Sequence, residues 1–229
     1  MNPALRSSAA HLFVSSVDAP DPSPDDMHHL FRVLRLRDGE VVTVSDGRGG
    51  WRTTIARAGT LEIDGEAKYE STPPACTIAA AIPKGDRAEW MVQKLTEVGV
   101  TDIVLLHCAR SVVRWDGERG AKQLARLQRV AREAASQSRR VWLPEVRGPV
   151  PFDDAVRWPG AVLAEPDGDH ELGSETGSDV VLIGPEGGFS ADELGAQVPR
   201  VRLLPTVLRV ETAAVVAACG ILTRSTKIH

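Results

Sequence analysis

The chain has little cysteine and no spacing that would put it to use. Cys76, Cys108 and Cys219 are odd in number, far apart and form no C-x-x-C pair, which fits a reducing cytoplasm and offers no metal site. His28 and His29 are adjacent and would point about 100° apart in a helix, too far to chelate one ion well. No apolar run approaches the roughly 20 residues that span a bilayer, so no membrane partner is expected. The first sixteen residues, MNPALRSSAAHLFVSS, have one arginine and no adequate apolar centre, and do not read as a signal peptide. Internal repeats and low-complexity tracts are missing too. The most glycine-rich loop lacks both the G-x-G-x-x-G dinucleotide pattern and the G-K-[ST] ending of a phosphate loop.

What is present describes a globular protein of 229 residues, 42% hydrophobic and 25% charged, enough for one large or two small domains. The net charge of -4 does not suggest a nucleic-acid partner, but the charge is unevenly spread. Residues 110–147 carry ten Lys/Arg against four Asp/Glu, whereas residues 165–193 carry nine acids and no Lys/Arg. The first segment is either a face for a polyanion or a solvated, ion-paired helix surface.

Residues 1–72 read as β-rich, with short runs at 11–14, 40–44, 51–55 and 61–63 separated by Asp38-Gly39, Asp46-Gly47, Gly49-Gly50 and Asp64-Gly65. These turn signals suit a small barrel. Between the first runs, residues 27–37 predict a short helix with Leu30, Val33 and Leu34 facing inward. Residues 71–74 (STPP) read as the linker, because paired prolines favour an extended connection. Beyond it strands and helices alternate. The run 77–82 leads through Pro83-Lys84-Gly85 to a helix capped by Asp86, with Met91, Leu95 and Val98 as its stripe and Gly99 as its stop. A strand at 103–106 precedes a helix over 120–138 with an apolar stripe of Leu124, Leu127, Ala131 and Ala134. Strands follow at 161–164, 179–183 and 201–204, with an acidic connection after Glu165-Pro166. Residues 211–223 (ETAAVVAACGILT) form a closing helix apolar on nearly all sides, as a buried helix is. Repeated β-α alternation implies a mainly parallel sheet covered by helices.

Residues 183–190 (IGPEGGFS) are the focus of the second half. A β-branched run meets three glycines and a proline, and Ser190-Ala191-Asp192-Glu193 has the form of a capping box. Strand, tight loop and helix follow one another, and in open α/β sheets such loops at the carboxyl ends of strands hold ligands. The loop places a carboxylate, Glu186, among its glycines. A phosphate there would be repelled, so the ligand expected is one without phosphate anchoring and with positive charge. A glycine-rich turn with no ligand is the simpler alternative.

Several stretches together closely resemble the RsmE-type ribosomal RNA small-subunit methyltransferases of the SPOUT superfamily. They are 183–190 (IGPEGGFS), 208–213 (LRVETA), 84–87 (KGDR) with Gln93-Lys94 and 96–100 (TEVGV), 110–113 (RSVV), 29–35 (HLFRVLR) and 131–137 (AREAASQ). The similarity runs in order along essentially the whole chain. It implies a PUA-like, RNA-binding β-barrel at residues 1–72 and a SPOUT methyltransferase domain at 73–229, an α/β fold with a mainly parallel sheet and a C-terminal trefoil knot. Nothing in the periodicity shows a knot, and general topology argues against one. The resemblance further implies a homodimer that transfers the methyl of S-adenosylmethionine to N3 of a uridine in small-subunit (16S) ribosomal RNA, free or within the assembled subunit. Its cofactor pocket would comprise the strand end Leu163, Ala164 and Glu165, the loop Ile183, Gly184, Pro185, Glu186, Gly187 and Gly188, and the turn Leu203, Leu204, Pro205, Val207 and Leu208. One departure falls in that turn. The family usually shows Leu-Gly-x-Arg-Ile-Leu-Arg, and this chain has Leu204 for the glycine and Thr206 for the first arginine.

Methyl transfer to N3 requires an unpaired uridine that loses its N3 proton, so a cation near the base oxygens would stabilise the developing anion. Arg209 is the candidate stabiliser and Glu211 the candidate base or organiser. Against this, Glu211 opens a helix where any carboxylate is favoured, and Arg209 could simply pair with it. Arg32, Arg35, Lys84, Arg87, Arg110, Arg114, Arg126, Arg129, Arg132, Arg139 and Arg140 are the candidate RNA contacts. A ribosome-assembly factor that keeps the fold without transfer, or a SPOUT enzyme for another RNA site, would fit the same residues.

Overall fold

The structure, a computed structural model, describes residues 2–172 and 178–226. Its contacts divide the chain into two units, one of Met1–Pro73 with Arg132–Leu143, the other of Pro74–Ala131 with Pro144–His229. The break after Pro73 falls inside the proline linker. The grouping of Arg132–Leu143 with the first unit has no signal in the sequence.

The first unit holds a four-stranded sheet of β1 (Ala10–Phe13), β2 (Val41–Ser45), β3 (Gly50–Arg57) and β4 (Thr60–Tyr69), in that order, after a short helix α1 (Pro3–Ser7). β1 runs parallel to β2, and β2, β3 and β4 form an antiparallel meander. Ala58 and Gly59 join β3 to β4 with φ of 50° and 79°, the left-handed pair that a two-residue hairpin needs. Asp64-Gly65 does not end the fourth strand as the turn signal suggests. β4 continues to Tyr69, and its register against β3 shifts between Trp51 and Thr53, so this glycine, with φ 91°, sits at a bulge.

Helix α2 (Pro24–His28) opens with a reciprocal capping box between Ser23 and Asp26 and passes into a π-helical turn at His29–Val33. Leu30 is fully buried with Val42, Val44 and Leu12, but Val33 is 58% and Leu34 48% exposed. The expected inward stripe is therefore corrected to Leu30 alone. The Leu34 amide donates to the His29 carbonyl at 2.9 Å, and the extra residue in that turn carries positions three and four beyond Leu30 off its face.

The second unit is a seven-stranded sheet in which every pairing is parallel. Its strands are β5 (Thr77–Ala81), β6 (Asp102–His107), β7 (Glu145–Pro151), β8 (Ala161–Ala164), β9 (His170–Glu171), β10 (Val180–Ile183) and β11 (Arg200–Arg202). Their order across the sheet is β7-β6-β5-β10-β8-β11-β9. Neither edge strand is foreseen in the sequence. β7 contains two prolines and a glycine, and β9 is two residues long within the acidic connection, part of which lies outside the described residues.

Side chains alternate across this sheet with the strand period of two. Ile78, Ile103, Val162 and Val181 lie on one face with α3 (Arg87–Val98), α4 (Gly117–Gln137) and α7 (Val210–Thr226). Ala79, Val104, Leu163 and Leu182 lie on the other with α5 (Phe152–Ala155) and Phe189. Both faces being covered is what gives the strands their continuous apolar runs. In α3, Met91 and Leu95 are buried and Gly99 ends the helix with φ 112°, whereas Val98 is 36% exposed. Asp86 makes no side-chain cap, because its own backbone is already helical at φ -72°, ψ -4°. α7 buries Ala213, Ala214, Ala217, Ala218 and Ile221, small residues that let it lie close to α3 and β5. No described helix is long and apolar enough to cross a membrane.

Candidate functional site

Three neighbouring strands, β10, β8 and β11, are parallel, so their carboxyl ends open side by side. A cleft of about 230 Å³ lies there. Its lining comes from Ala164, Glu165 and Pro166 after β8, from Ile183, Gly184, Pro185, Glu186 and Gly188 after β10, from Leu203, Leu204, Thr206, Val207 and Leu208 after β11, and from Val210 and Ala213 of α7. The walls are mostly apolar, and among the described residues their charged groups are two carboxylates, with no Lys or Arg.

The loop after β10 is built by local chemistry. The Gly188 amide donates to the Pro185 carbonyl at 2.8 Å, closing a tight turn, and Gly188 itself has φ 69°. A Cβ on Gly184 would stand 3.2 Å from the Phe189 ring, so glycine lets this backbone pass over a buried aromatic. The loop ends in the expected capping box. Ser190 Oγ accepts the Glu193 amide at 3.2 Å, and Glu193 Oε2 accepts the Ser190 amide at 2.7 Å. The helix it opens, α6 (Ala191–Leu194), is a single turn. The other Glu193 oxygen accepts the Ala109 amide at 2.8 Å. From outside, Arg110 Nη1 donates to the carbonyls of Gly187 and Phe189 at 2.9 and 3.1 Å, so this arginine braces the loop.

Of the expected pocket residues, Leu163, Gly187 and Pro205 stand outside the lining. Leu163 points through the sheet into the opposite core with Leu182 and Phe189, as its place one residue before Ala164 dictates. Four lining residues were missed: Pro166, Thr206, Val210 and Ala213. Val210 and Ala213 are three apart on one face of α7, a spacing visible in the sequence but masked there by the uniformly apolar helix. The turn that departs from the family pattern still forms a wall, with Leu204 44% and Val207 84% exposed.

Two ionisable groups border the cleft. Burial pushes the Glu165 carboxyl above its usual range, with Asp167 adding to the rise and Arg200 opposing it. Glu186 pairs with Arg87 Nη2 at 3.3 Å, and Arg87 Nη1 reaches Glu211 Oε1 at 3.6 Å. Glu211 is 7% exposed and its Oε2 has no hydrogen-bond partner among the described residues. It lies in the first turn of α7, where amide dipoles favour a carboxylate, and its ionic partner is Arg87. Arg209 precedes the helix. Its carbonyl accepts the Ala213 amide at 2.8 Å, and its exposed guanidinium makes no ion pair among the described residues.

The remaining arginines separate by environment. Arg126 pairs with Glu89 at 2.7 Å. In the first unit, Arg132 donates to the Phe13 carbonyl at 2.7 Å and stands 5.2 Å over the Phe13 ring, while Arg139 donates to the carbonyls of Ser8 and Ala9. The Arg140 carbonyl accepts from His11. Arg32, Arg35, Lys84, Arg114 and Arg129 are exposed, with no side-chain hydrogen bond or ion pair among the described residues.

A parallel α/β sheet with an acidic cleft at its strand ends, preceded by a small β unit, defines the class: residues 70–222 match the RNA methyltransferase domain family, and residues 23–66 match the RNA methyltransferase PUA domain family. Among curated relatives, ribosomal RNA small subunit methyltransferase E of Mycobacterium tuberculosis is 36% identical over 226 residues, covering 87% of this chain and 85% of that protein. The protein of that name from Synechocystis is 32% identical over 219 residues, covering 85% and 70%. Among solved structures, a Legionella pneumophila structure in complex with the bound cofactor SAM has 30% identity and a TM-score of 0.78, covering 93% of this chain and 96% of that one. A ribosomal RNA small subunit methyltransferase E from Neisseria gonorrhoeae bound to S-adenosyl methionine has 27% identity and a TM-score of 0.74, covering 93% and 97%. The chain belongs to the ribosomal RNA small subunit methyltransferase E family.

Proposed function

We propose that this chain methylates N3 of a uridine in small-subunit ribosomal RNA, using S-adenosylmethionine held in the cleft at the ends of β10, β8 and β11. The observation that carries the proposal is the cleft's composition, apolar walls with Glu165 and Glu186 and no Lys or Arg among the described residues, in a chain of this family. Such a lining suits a ligand with an apolar ring system and positive charge, and disfavours one held by phosphates. The relatives whose structures contain this cofactor support the same reading.

In this reading backbone groups of Gly184–Gly188 and Leu203–Leu208 hold the cofactor, and the two carboxylates face its cationic parts. The bound cofactor supplies an electrophilic methyl group. The chain's part is to position the acceptor nitrogen and to stabilise the charge that develops on uracil as N3 loses its proton. Arg209 is exposed beside the cleft residue Leu208 and has no ionic partner among the described residues, which leaves its charge available to the uracil oxygens. Glu211 organises the start of α7.

Of the candidate contacts, we assign RNA phosphates to those with no side-chain hydrogen bond or ion pair among the described residues, namely Arg32, Arg35, Lys84, Arg114 and Arg129. The PUA and methyltransferase parts divide near residue 72. A homodimer acting in the cytoplasm, with a knotted C-terminal segment and the assembled small subunit as substrate, completes the proposal. The test is transfer of labelled methyl from S-adenosylmethionine to small ribosomal subunits or their RNA by purified protein, followed by nuclease digestion. Label in N3-methyluridine supports the assignment, and label in another nucleoside, or none, refutes it.

A further inference from the structure

One cluster at the cleft is not explained by ligand binding alone. Arg87, the first residue of α3, follows the loop that leaves β5. Glu186 belongs to the loop that leaves the neighbouring strand β10, and Glu211 to the first turn of α7. The Arg87 guanidinium reaches both carboxylates, with Nη2 3.3 Å from Glu186 Oε1 and Nη1 3.6 Å from Glu211 Oε1. Its Nε donates to the Lys84 carbonyl at 3.1 Å, which fixes the plane of the fork. Three separate chain segments therefore meet at one planar cation. Two of them carry cleft walls, because Glu186 lines the cleft directly and Val210 and Ala213 flank Glu211.

The charges do not balance. Two carboxylates face one guanidinium, and the second Glu211 oxygen is buried without a hydrogen-bond partner among the described residues. An unsatisfied buried carboxylate opposes folding, so loss of Arg87 would leave Glu211 with neither ionic nor hydrogen-bonding compensation among the described residues. Such a residue is tied to the geometry of the cleft more than to a polyanion outside it. A guanidinium already shared by two carboxylates has little left to offer a phosphate.

We infer that Arg87 is a positioning residue for the methyl-donor cleft: by bridging Glu186 and Glu211 it holds the glycine loop and the start of α7 at a fixed separation, and it is not an RNA contact. The inference rests on the proposed function, because it takes the cleft to be the cofactor site. It separates cleanly from a charge effect. Removing a cation beside a cationic ligand would, by charge alone, strengthen S-adenosylmethionine binding and leave the uncharged-sulfur product S-adenosylhomocysteine unchanged. Loss of positioning weakens both alike.

The experiment is calorimetric titration of the full chain with each of these two ligands, for wild type, Arg87→Ala, Arg87→Lys, Glu186→Gln and the Arg87→Ala/Glu186→Gln double variant. Thermal unfolding is recorded for each. The expected result is a loss of about tenfold or more in Arg87→Ala, equal for the two ligands, no restoration by lysine, which lacks the fork, and a double variant no weaker than Arg87→Ala alone. Glu186→Gln alters a partly exposed side chain and carries the test if the Arg87 variants do not fold. It is expected to lower both affinities equally, whereas loss of a carboxylate that only faces the sulfonium would weaken S-adenosylmethionine and spare S-adenosylhomocysteine, and that selective loss overturns the inference. Wild-type binding with unchanged or tightened S-adenosylmethionine affinity in these variants overturns the inference alone. Absence of binding by wild type overturns the cleft assignment and the inference with it. A fall of about one in the salt-dependence slope of RNA binding by Arg87→Ala, with cofactor affinity intact, returns Arg87 to the RNA contacts.

Discussion

His11 gives this protein a specific acid sensitivity. It lies on β1, 2% exposed, with Nε2 2.9 Å from the Arg140 carbonyl and Nδ1 2.8 Å from Thr43 Oγ1. A carbonyl only accepts, so Nε2 carries the proton, and the Thr43 hydroxyl donates to Nδ1. The ring is thus satisfied as the neutral tautomer. Burial lowers its pKa to about 4 from 6.5; the Arg140 carbonyl opposes this and the Arg139 charge adds to it. Because the folded value lies below the unfolded one, the unfolded state binds more protons between these two values. The stabilisation is present above pH 6.5 and is lost as pH falls toward 4. A pKa displaced by one is worth about 1.4 kcal/mol, so the whole effect is about 3 kcal/mol, of which about 2 kcal/mol is gone by pH 5. The assay is urea unfolding of wild type and His11→Gln from pH 7.5 to 4.5, read with the imidazole resonance of His11 by NMR. The variant is expected to be weaker at pH 7.5 and to lack this part of the pH slope. Parallel stability curves, or an imidazole that titrates near 6.5, would refute the reasoning.

Three further outcomes follow from the same geometry. Burial, with Glu193 nearby, pushes the Cys108 thiol up to about 12, so iodoacetamide at pH 8 is expected to label the exposed Cys219 and leave Cys108 unmodified; mass-mapped alkylation of Cys108 in folded protein would contradict this. Since Glu165 is raised above the ordinary carboxylate range, binding of S-adenosylmethionine should weaken as pH falls through that raised value, and Glu165→Gln should remove this part of the pH dependence in calorimetry. Arg129→Ala should lower the salt slope of RNA binding by about one without affecting the melting temperature, whereas Arg132→Ala, which loses the Phe13 carbonyl and the ring stack, should cost about 1 kcal/mol or more of stability; a reversed pattern would exchange their roles.

How far the sequence carried the structure depends on the range of the forces concerned. Glycine, proline and the Ser190–Glu193 spacing act within a few residues, and the loop after β10 forms as they direct. The continuous apolar runs located β5, β6, β8 and β10, because a parallel sheet buried on both faces leaves continuous hydrophobic strands. Edge strands β7 and β9 had no such signature. The inward stripe at Val33 and Leu34 failed because a π-turn changes the helical period locally. The roles of the arginines are the least legible in the sequence. A charge run has the same composition whether each guanidinium meets carbonyls, as Arg132 and Arg139 do, carboxylates, as Arg126 does, or solvent, as Arg129 does. Only tertiary structure separates these cases. The cleft was legible as loops at strand ends, but the contribution of α7 through Val210 and Ala213 was hidden in a helix apolar on every side.

The central claim is tested most directly in cells, by mass mapping of methylated uridines in small-subunit ribosomal RNA with and without this gene. The account predicts that one N3-methyluridine disappears on deletion, returns with the wild-type gene and stays absent with Arg209→Ala. An identical set of methylated uridines in both strains would contradict it.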